Sequence, residues 1–420
     1  MSKIEELIQQ YCPDGVEYKK LGELGVFYGG LSGKTKEDFK DGNAKFISYK
    51  NVFYNLSLNI DTDERVKIEE GEKQHTIQYG DILFTGSSET PDECGMSSVL
   101  TQRTDEKLYL NSFCFGYRLH NLSQFSPDFL KHLFRSNELR KQIGKTASGT
   151  TRFNVSKKRF AEVSIPILPL PVQEEIARIL DNLAELQAEL QAELQKRKQQ
   201  YEYYRDKLLS FSDLSDWGGQ ELSVEWKKLG EIATLIRGGN FQKKDFTDSG
   251  VPCIHYGQIY THFGIHTTST LKYISPDVAS KSKIAKTNDI VMAITSENVE
   301  DVGKCVAWLG DEDIAVSGHT AIIQHKQNAK YLSYYFHTSH FFTQKRRLAH
   351  GTKVIEISPK ALEDVIVPIP SLAEQQRIVE ILDRFDVLTS DITAGLPAEI
   401  EARRKQYEYY RDTLLTFKKK

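Results

Sequence analysis

Hydrophobic positions along this chain follow two rhythms. Over two long stretches, short runs rich in β-branched and aromatic residues alternate with turn residues. Residues 45–49, 81–85, 113–119, 251–256 and 289–295 read as strands on that pattern. Residues 128–135 and 330–336 have helical spacing after a plausible cap. Each stretch predicts a mixed α/β domain of roughly 160 residues, within the usual domain range.

After each stretch the rhythm changes. Pro166, Pro169 and Pro171 punctuate one transition and Pro368 and Pro370 the other, so an extended step precedes each helix. Beyond Gln173, residues Ile176, Ile179, Leu180, Leu183, Leu186, Leu190 and Leu194 fall at helical spacing. A helix from there to Phe211 is roughly 60 Å long at about 1.5 Å per residue. The second arm repeats the stripe with Ile378, Ile381, Leu382, Phe385, Leu388 and Ile392. Gly395 and Pro397 are expected to break it before Glu399 starts a last helix. A long helix with so narrow an apolar stripe needs a partner helix, and the economical partner is the other arm, running antiparallel.

The two rhythms occur twice because the chain is internally duplicated. Tyr201-Glu-Tyr-Tyr-Arg-Asp206 recurs as Tyr407-Glu-Tyr-Tyr-Arg-Asp412. Val16–Leu24 matches Val224–Ile232, Ile47–Tyr49 answers Ile254–Tyr256, and Gly80–Thr85 corresponds to Asn288–Ala293. Gly149–Ser156 lines up with Gly351–Ser358, and Ile179–Asp181 with Ile381–Asp383. Intervening stretches, such as 61–78 against 261–282, scarcely match. A duplicated frame with divergent surfaces suits the reading of two different targets.

The first arm carries three tandem units, Ala184–Gln187, Ala188–Gln191 and Ala192–Gln195, each Ala-Glu-Leu-Gln. Four residues turn a helix by about 400°, so one unit adds about 6 Å and rotates the stripe by only about 40°. That length is close to two base-pair steps of about 3.4 Å. A spacer built this way changes length by whole turns with little disturbance of its packing face.

Composition narrows the class without naming it. At 420 residues, 39% hydrophobic and 27% charged, this is an ordinary globular composition. No apolar stretch reaches membrane-spanning length, and the N-terminus has no apolar signal core, so a cytoplasmic protein with no membrane partner is expected. Cys12, Cys94, Cys114, Cys253 and Cys305 lie far apart, which argues against disulfides and structural zinc. There is no P-loop, no G-x-G-x-x-G after a strand, no G-x-S-x-G elbow and no Asn/Asp-Pro-Pro-aromatic tetrapeptide. No catalytic residue and no metal ligand is therefore assigned.

The chain offers polar, glycine-rich loops instead, at corresponding places in both halves. The first half presents Lys34, Lys36, Lys50, Asn51, Ser88, Thr150, Thr151, Arg152 and Asn154. The second presents Arg237, Asn240, Gln242, Lys243, Lys244, Tyr256, Gln258, Ser296, Thr352 and Lys353. Such side chains read base edges and grip phosphates, so these are the candidate DNA-binding residues. A net charge of −3 neither demands nor forbids this, because local placement decides. Tyr201, Tyr203, Tyr204 and Arg205, with Tyr407, Tyr409, Tyr410 and Arg411, are expected first to pack helices. Identical sequence at two related places also suits two copies of one protein partner.

The paired Lys-Lys-Leu-Gly-Glu starts, the Pro-x-Pro steps leading into Gln173–Asp181 and Gln375–Asp383, and the two Tyr-Glu-Tyr-Tyr-Arg-Asp ends resemble the specificity subunits of type I restriction–modification systems over essentially the whole length. The resemblance implies two α/β target-recognition domains, each reading one half of a bipartite double-stranded DNA sequence. It implies two conserved helical regions that pack together with pseudo-twofold symmetry and act as a ruler for the gap. It also implies docking of two methyltransferase subunits and of restriction (motor–nuclease) subunits. On that reading the chain is no enzyme and holds no cofactor, and S-adenosylmethionine, ATP and Mg belong to the partners. Residues 1–165 and 216–367 are then the recognition domains, and 166–215 and 368–420 the arms. One departure from symmetry stands out: Asp181 precedes Tyr201 by 20 residues, whereas Asp383 precedes Tyr407 by 24. A related type IIB-like or phage-defence methylation system, or a helical scaffold that never touches DNA, are the alternative readings.

Overall fold

The structure, a computed structural model, describes residues 3–211, 223–390 and 395–420. It divides into two compact units, 1–191 with 399–420, and 192–398. Neither arm is a body of its own. Helix Leu170–Ser210 gives its first part to the first unit and its last part to the second. The C-terminal helix Gly395–Leu414 belongs almost wholly to the first unit, whose globular part it follows by some two hundred positions.

In the first unit an antiparallel sheet runs in the order Gly25–Gly29, Cys114–Leu119, Ile82–Thr85, Ser97–Val99. All four residues of the strand Ile82–Thr85 are buried, as an apolar run of a central strand should be. Phe84, Phe115 and Phe160 pack their rings together against Leu130, Phe134 and the start of the long helix at Val172, Ile176 and Leu180. A second sheet is ordered Arg65–Val66, Ala44–Ile47, Leu108–Leu110, Thr76–Ile77, with its two central strands parallel.

The second unit repeats this plan. Ala233–Arg237, Thr320–His325, Ile290–Ala293 and Cys305–Trp308 form the frame sheet, and Val251–Ile254 runs parallel to Ile314–Val316 in the other. The divergent stretch 261–282 adds a short fifth strand, His266–Thr267, at the frame's edge.

Equivalent local devices hold both frames. Gly80 and Asn288 take positive φ, +85° and +73°, at the turn before the central strand. Asn is among the few residues with a side chain that tolerate that region, and here its amide also bonds Gln327 O at 2.9 Å and accepts from Ala329 N at 3.2 Å. The buried acid that follows accepts the backbone N–H of Gln78 or Lys286, each at 2.8 Å. Asp81 is further paired with Arg118, whereas Asp289 faces Gln324 and its pKa is raised by burial. The strands Glu17–Lys20 and Glu225–Lys228 pair only with Ser164–Ile167 and Ile366–Ile369, so Pro166 and Pro368 sit in two-stranded ribbons where a missing N–H is tolerated.

Each arm is locked to its domain by a buried glutamine. Gln173 accepts from Ser126 N at 2.9 Å and donates to Gln124 O and Leu168 O. Gln375 accepts from Asn328 N at 3.0 Å and donates to Gln327 and Pro370. The arms pair inside each unit as the narrow stripes require. In the first, Ile176 and Leu180 share a core with Tyr407 and Leu415; in the second, Tyr201 and Leu209 share one with Ile378 and Leu382. Early residues of one arm thus meet late residues of the other. The expected break at Gly395 and Pro397 is placed differently: the last helix begins at Gly395, with φ +70°, and Pro397 falls in its first turn, where no N–H is missed.

Candidate nucleic-acid interface

Each frame carries a cleft at the same place. In the first unit the strand Ile82–Thr85 continues into Ser87–Ser88, which pairs with Phe153–Val155 of a hairpin. Helix Tyr49–Tyr54, capped by Ser48, lies opposite, and the Tyr49 hydroxyl donates to Ser87 O at 2.8 Å. These elements enclose about 550 Å³ lined by Tyr49, Lys50, Phe53, Ser88, Glu93 and Arg152 among others. In the second unit Thr295–Ser296 pairs with Ile355–Glu356 in the same register. Helix Tyr256–Thr261, capped by His255, lies opposite, and Tyr260 donates to Thr295 O at 2.5 Å. That cleft, about 410 Å³, is lined by Tyr256, Tyr260, Ser296, Asn298, His319 and Val354 among others.

Glycine makes the hairpin tips. Gly149 and Gly351 take φ of +151° and +111°. A Cβ on either would stand 2.0 Å from a backbone carbonyl, Arg152 O or Val354 O, so no side chain fits there. The repeated Gly-Thr is thus the signature of a turn at the cleft rim, with Thr150, Thr151, Thr352 and Lys353 exposed beside it.

Of the residues expected to meet DNA, the fold gathers Lys50, Ser88, Thr151 and Arg152 in the first cleft and Tyr256 and Ser296 in the second. Asn154, at the strand position facing Ser87, is exposed nearby. Lys243 stands beside the first turn of helix Tyr256–Thr261. Burial, and then the charges of Lys243 and His319, push His255 down to about 4, which keeps it a neutral cap. Lys36, Asn240 and Lys244 are exposed outside the clefts.

Others are occupied within the protein. Lys34 is half-buried and ion-paired with Glu72 at 2.6 Å, and that pair holds the Glu72 carboxyl down to about 2. The Asn51 amide ties Asn55 and both backbone groups of Asn59. Gln242 and Gln258 complete capping boxes, and Arg237 pairs with Glu356 at 2.9 Å and bonds Gly318 O. Polar loop residues bond their own backbone as readily as a ligand, and spacing alone does not separate the two uses.

Apart from Tyr256, the aromatic and acidic residues at these clefts were not among the sequence candidates. Tyr54, in the lining of the first cleft, is 73% exposed, and Phe113, beneath the guanidinium of Arg152, is 58% exposed, which is unusual for such side chains. Glu93 accepts from Ser88 and Thr90, each at 3.0 Å. The signal available was an aromatic-rich helix directly after a strand, in both halves.

The repeated helical ends split by position. Tyr201 and Tyr407 are buried, and Arg205 and Arg411 pair with Asp206 and Asp412. Those aspartates in turn accept the first N–H of helices Ser339–Leu348 and Asn137–Gly144. Tyr203 and Tyr204, and likewise Tyr409 and Tyr410, remain exposed as edge-to-face pairs with ring centroids 5.4 and 5.5 Å apart.

Two copies of one frame, each with an open cleft of different lining and joined through long helices, define a tandem recognition protein. Among the described residues no group of three His, Cys, Asp or Glu side chains could hold a metal ion, and no helix is long and apolar enough to cross a membrane. The chain belongs to the family defined by the type I restriction modification DNA specificity domain, which matches residues 13–197 and 223–402. It is similar to the type I restriction enzyme EcoR124I/EcoR124II specificity subunit of Escherichia coli, with 39% identity over 60% of this chain and 61% of that one. A second relative is a putative type I restriction enzyme specificity subunit of Haemophilus influenzae, 32% identical over 64% of this chain and 68% of the other. The match therefore spans somewhat less than two thirds of the E. coli subunit. The fold matches a solved chain described under complex assembly and conformational transition of the type I restriction–modification system. There the TM-score is 0.61, with 19% identity, covering 96% of this chain and 98% of that one.

Proposed function

We propose that this chain is the non-catalytic specificity subunit of a type I restriction–modification complex, and that each cleft reads one half of a bipartite, asymmetric DNA target. The observation that carries this is the pair of equivalent clefts. One frame is built twice with the same hairpin register, the same glycine turn and a tyrosine bonded to the same backbone carbonyl, supplied by position 1 of the facing helix in one unit and position 5 in the other, yet the side chains it presents differ. Selection for stability alone gives no reason for a common frame with unlike, open clefts.

In this reading the exposed pairs Tyr203/Tyr204 and Tyr409/Tyr410 receive two methyltransferase subunits, and restriction subunits join through them. Rigid, amphipathic tyrosines are suited to such contacts. The first unit adds a cavity of about 790 Å³ next to Tyr407, lined by Asp92, Asn137, Lys141 and Lys145 among others, which offers such a partner a polar recess. S-adenosylmethionine, ATP and Mg²⁺ are held by those partners, and the chain supplies positioning only.

The test is footprinting of the chain purified with its methyltransferase subunits. Two short protected blocks separated by an unprotected gap are expected, with affinity falling steeply with salt. A single contiguous block, or no sequence preference, refutes the reading. Alanine at Tyr203 and Tyr204, or at Tyr409 and Tyr410, is expected to weaken subunit assembly while leaving thermal stability unchanged.

A further inference from the structure

Resting on that reading, we infer that Arg152 and Val354 are the base-discriminating residues of the two clefts, Arg152 selecting guanine and Val354 selecting the methyl group of thymine.

Their equivalence comes from the strand register. Ser88 faces Phe153 in the first unit and Ser296 faces Ile355 in the second. The residue one step before each facing position, on the tip made by Gly149 or Gly351, is Arg152 or Val354. Both side chains are exposed at the cleft, and Val354 is 59% exposed, an unusual place for an unpartnered β-branched residue.

The surroundings of each match its chemistry. Arg152 Nε donates to Ser87 Oγ at 3.2 Å, and the guanidinium lies over the Phe113 ring, 5.6 Å from its centroid. Both contacts orient the fork and leave Nη1 and Nη2 clear of any hydrogen bond within the described residues. Two parallel N–H donors on one edge are what the O6 and N7 acceptors of guanine require in the major groove. In the second unit the place of Phe113 is taken by His319: Gly86 N bonds Phe113 O as Ile294 N bonds His319 O. The His319 ring lies 5.0 Å from that of Tyr256. Val354 therefore stands at a rim of rings with no donor of its own to offer a base edge. The feature of the major groove that such a tip can recognise is the thymine C5-methyl.

The experiment uses the complete complex with its methyltransferase subunits and the gapped target found by methylome sequencing. Competition binding is measured on duplexes in which single guanines become 7-deazaguanine, which lacks the N7 acceptor, and single thymines become uracil, which lacks the methyl. In the half-site read by the first unit, one 7-deazaguanine is expected to weaken the wild type by about fivefold or more and to have no effect on Arg152→Ala. Arg152→Lys is expected to keep the salt dependence and lose the guanine preference, which a mere phosphate contact would not do. In the other half-site, one uracil is expected to weaken binding by about fourfold and to have no effect on Val354→Ala. Both positions are exposed, so urea midpoints serve to confirm that the variants are folded. Sensitivity that persists in the variants, or half-sites lacking such a guanine and thymine, overturns the assignment. If the wild-type complex protects no gapped sequence at all, it is the DNA-recognition reading that has failed.

Discussion

His132 and Tyr407 lie 275 positions apart and share a buried hydrogen bond, Nδ1 to the phenol oxygen, at 2.8 Å. The other ring nitrogen of His132 meets Asp181 at 2.7 Å, so one imidazole ties the first domain to both arms. The repeat of Tyr407 has no such partner. Tyr201 is equally buried, but its hydroxyl has no hydrogen-bond partner among the described residues, and Arg205 lies over its ring at 5.6 Å. The same residue in the same motif is therefore held by polar pairing in one unit and by packing in the other.

Tyr407→Phe leaves a buried imidazole nitrogen unsatisfied and is expected to cost about 1–3 kcal/mol. Tyr201→Phe removes an oxygen that has no partner among the described residues and is expected to stay within about 0.5 kcal/mol of wild type or to stabilise. Urea unfolding of the two variants side by side checks the contrast, and equal losses would contradict it.

Arg135 offers a second test, because it connects the arm-facing helices to the first cleft. It donates to Ser97 O at 2.8 Å, to Phe53 O at 2.8 Å and to Val52 O at 3.2 Å, closing the C-terminal turn of the helix that carries Lys50. Burial, and then Arg140 and Arg411, bring its pKa down to about 10, so it stays charged. Arg135→Met strands those carbonyls and is expected to destabilise by about 2 kcal/mol or more. Proteolysis should then open helix Tyr49–Tyr54 before the rest of the unit. A wild-type cleavage pattern would show that the helix does not depend on this residue.

Acid sensitivity should concentrate in the second unit. Burial is the leading cause that lowers His255, His325 and His337 to about 4. In the unfolded chain they titrate near 6.5, so between these values the unfolded state binds more protons. Their contribution to stability is complete above about pH 6.5 and is lost as the pH falls toward about 4. Trp226 and Trp308 lie in strands of this unit, and the first unit contains no tryptophan, so tryptophan fluorescence follows the second. Its urea midpoint should drop between pH 7 and pH 5, and His337→Gln should flatten that drop. An unchanged slope in the variant would remove His337 from the account.

Helix Leu170–Ser210 is continuous for 41 residues, and none of them between Leu180 and Tyr201 is buried. Deleting Ala188–Gln191 removes about one turn and roughly 6 Å at little packing cost. The gap between half-sites is expected to shorten while the bases in each half-site stay the same. Methylome sequencing of cells carrying the deletion decides between this and a change in the bases themselves.

Much of the architecture was legible in the order of residues. Duplication, the strands at 81–85 and 289–295, and the proline step into a long helix follow from periodicity and turn chemistry, which are local. The glycines at 149 and 351 already marked the turns that shape the clefts. Lys50, Ser88, Arg152, Tyr256 and Ser296 were also legible as members of polar, glycine-rich loops, although only Ser88 and Ser296 are the same residue at matching places.

The remainder depended on partners far away in the chain. Nothing near Lys34 or Arg237 in sequence announces that Glu72 or Glu356 will neutralise them. Nor does anything near Tyr407 announce that it will serve the first domain. Side-chain identity determined what each residue could bond, and the sequence by itself settled the repeated frame and the rhythm of its arms. Which bond each residue makes was decided only when folding brought distant segments within about 3 Å, the range over which hydrogen bonds and ion pairs act. That is why the clefts, and the placing of Arg152 and Val354 at their rims, emerge only from the tertiary structure.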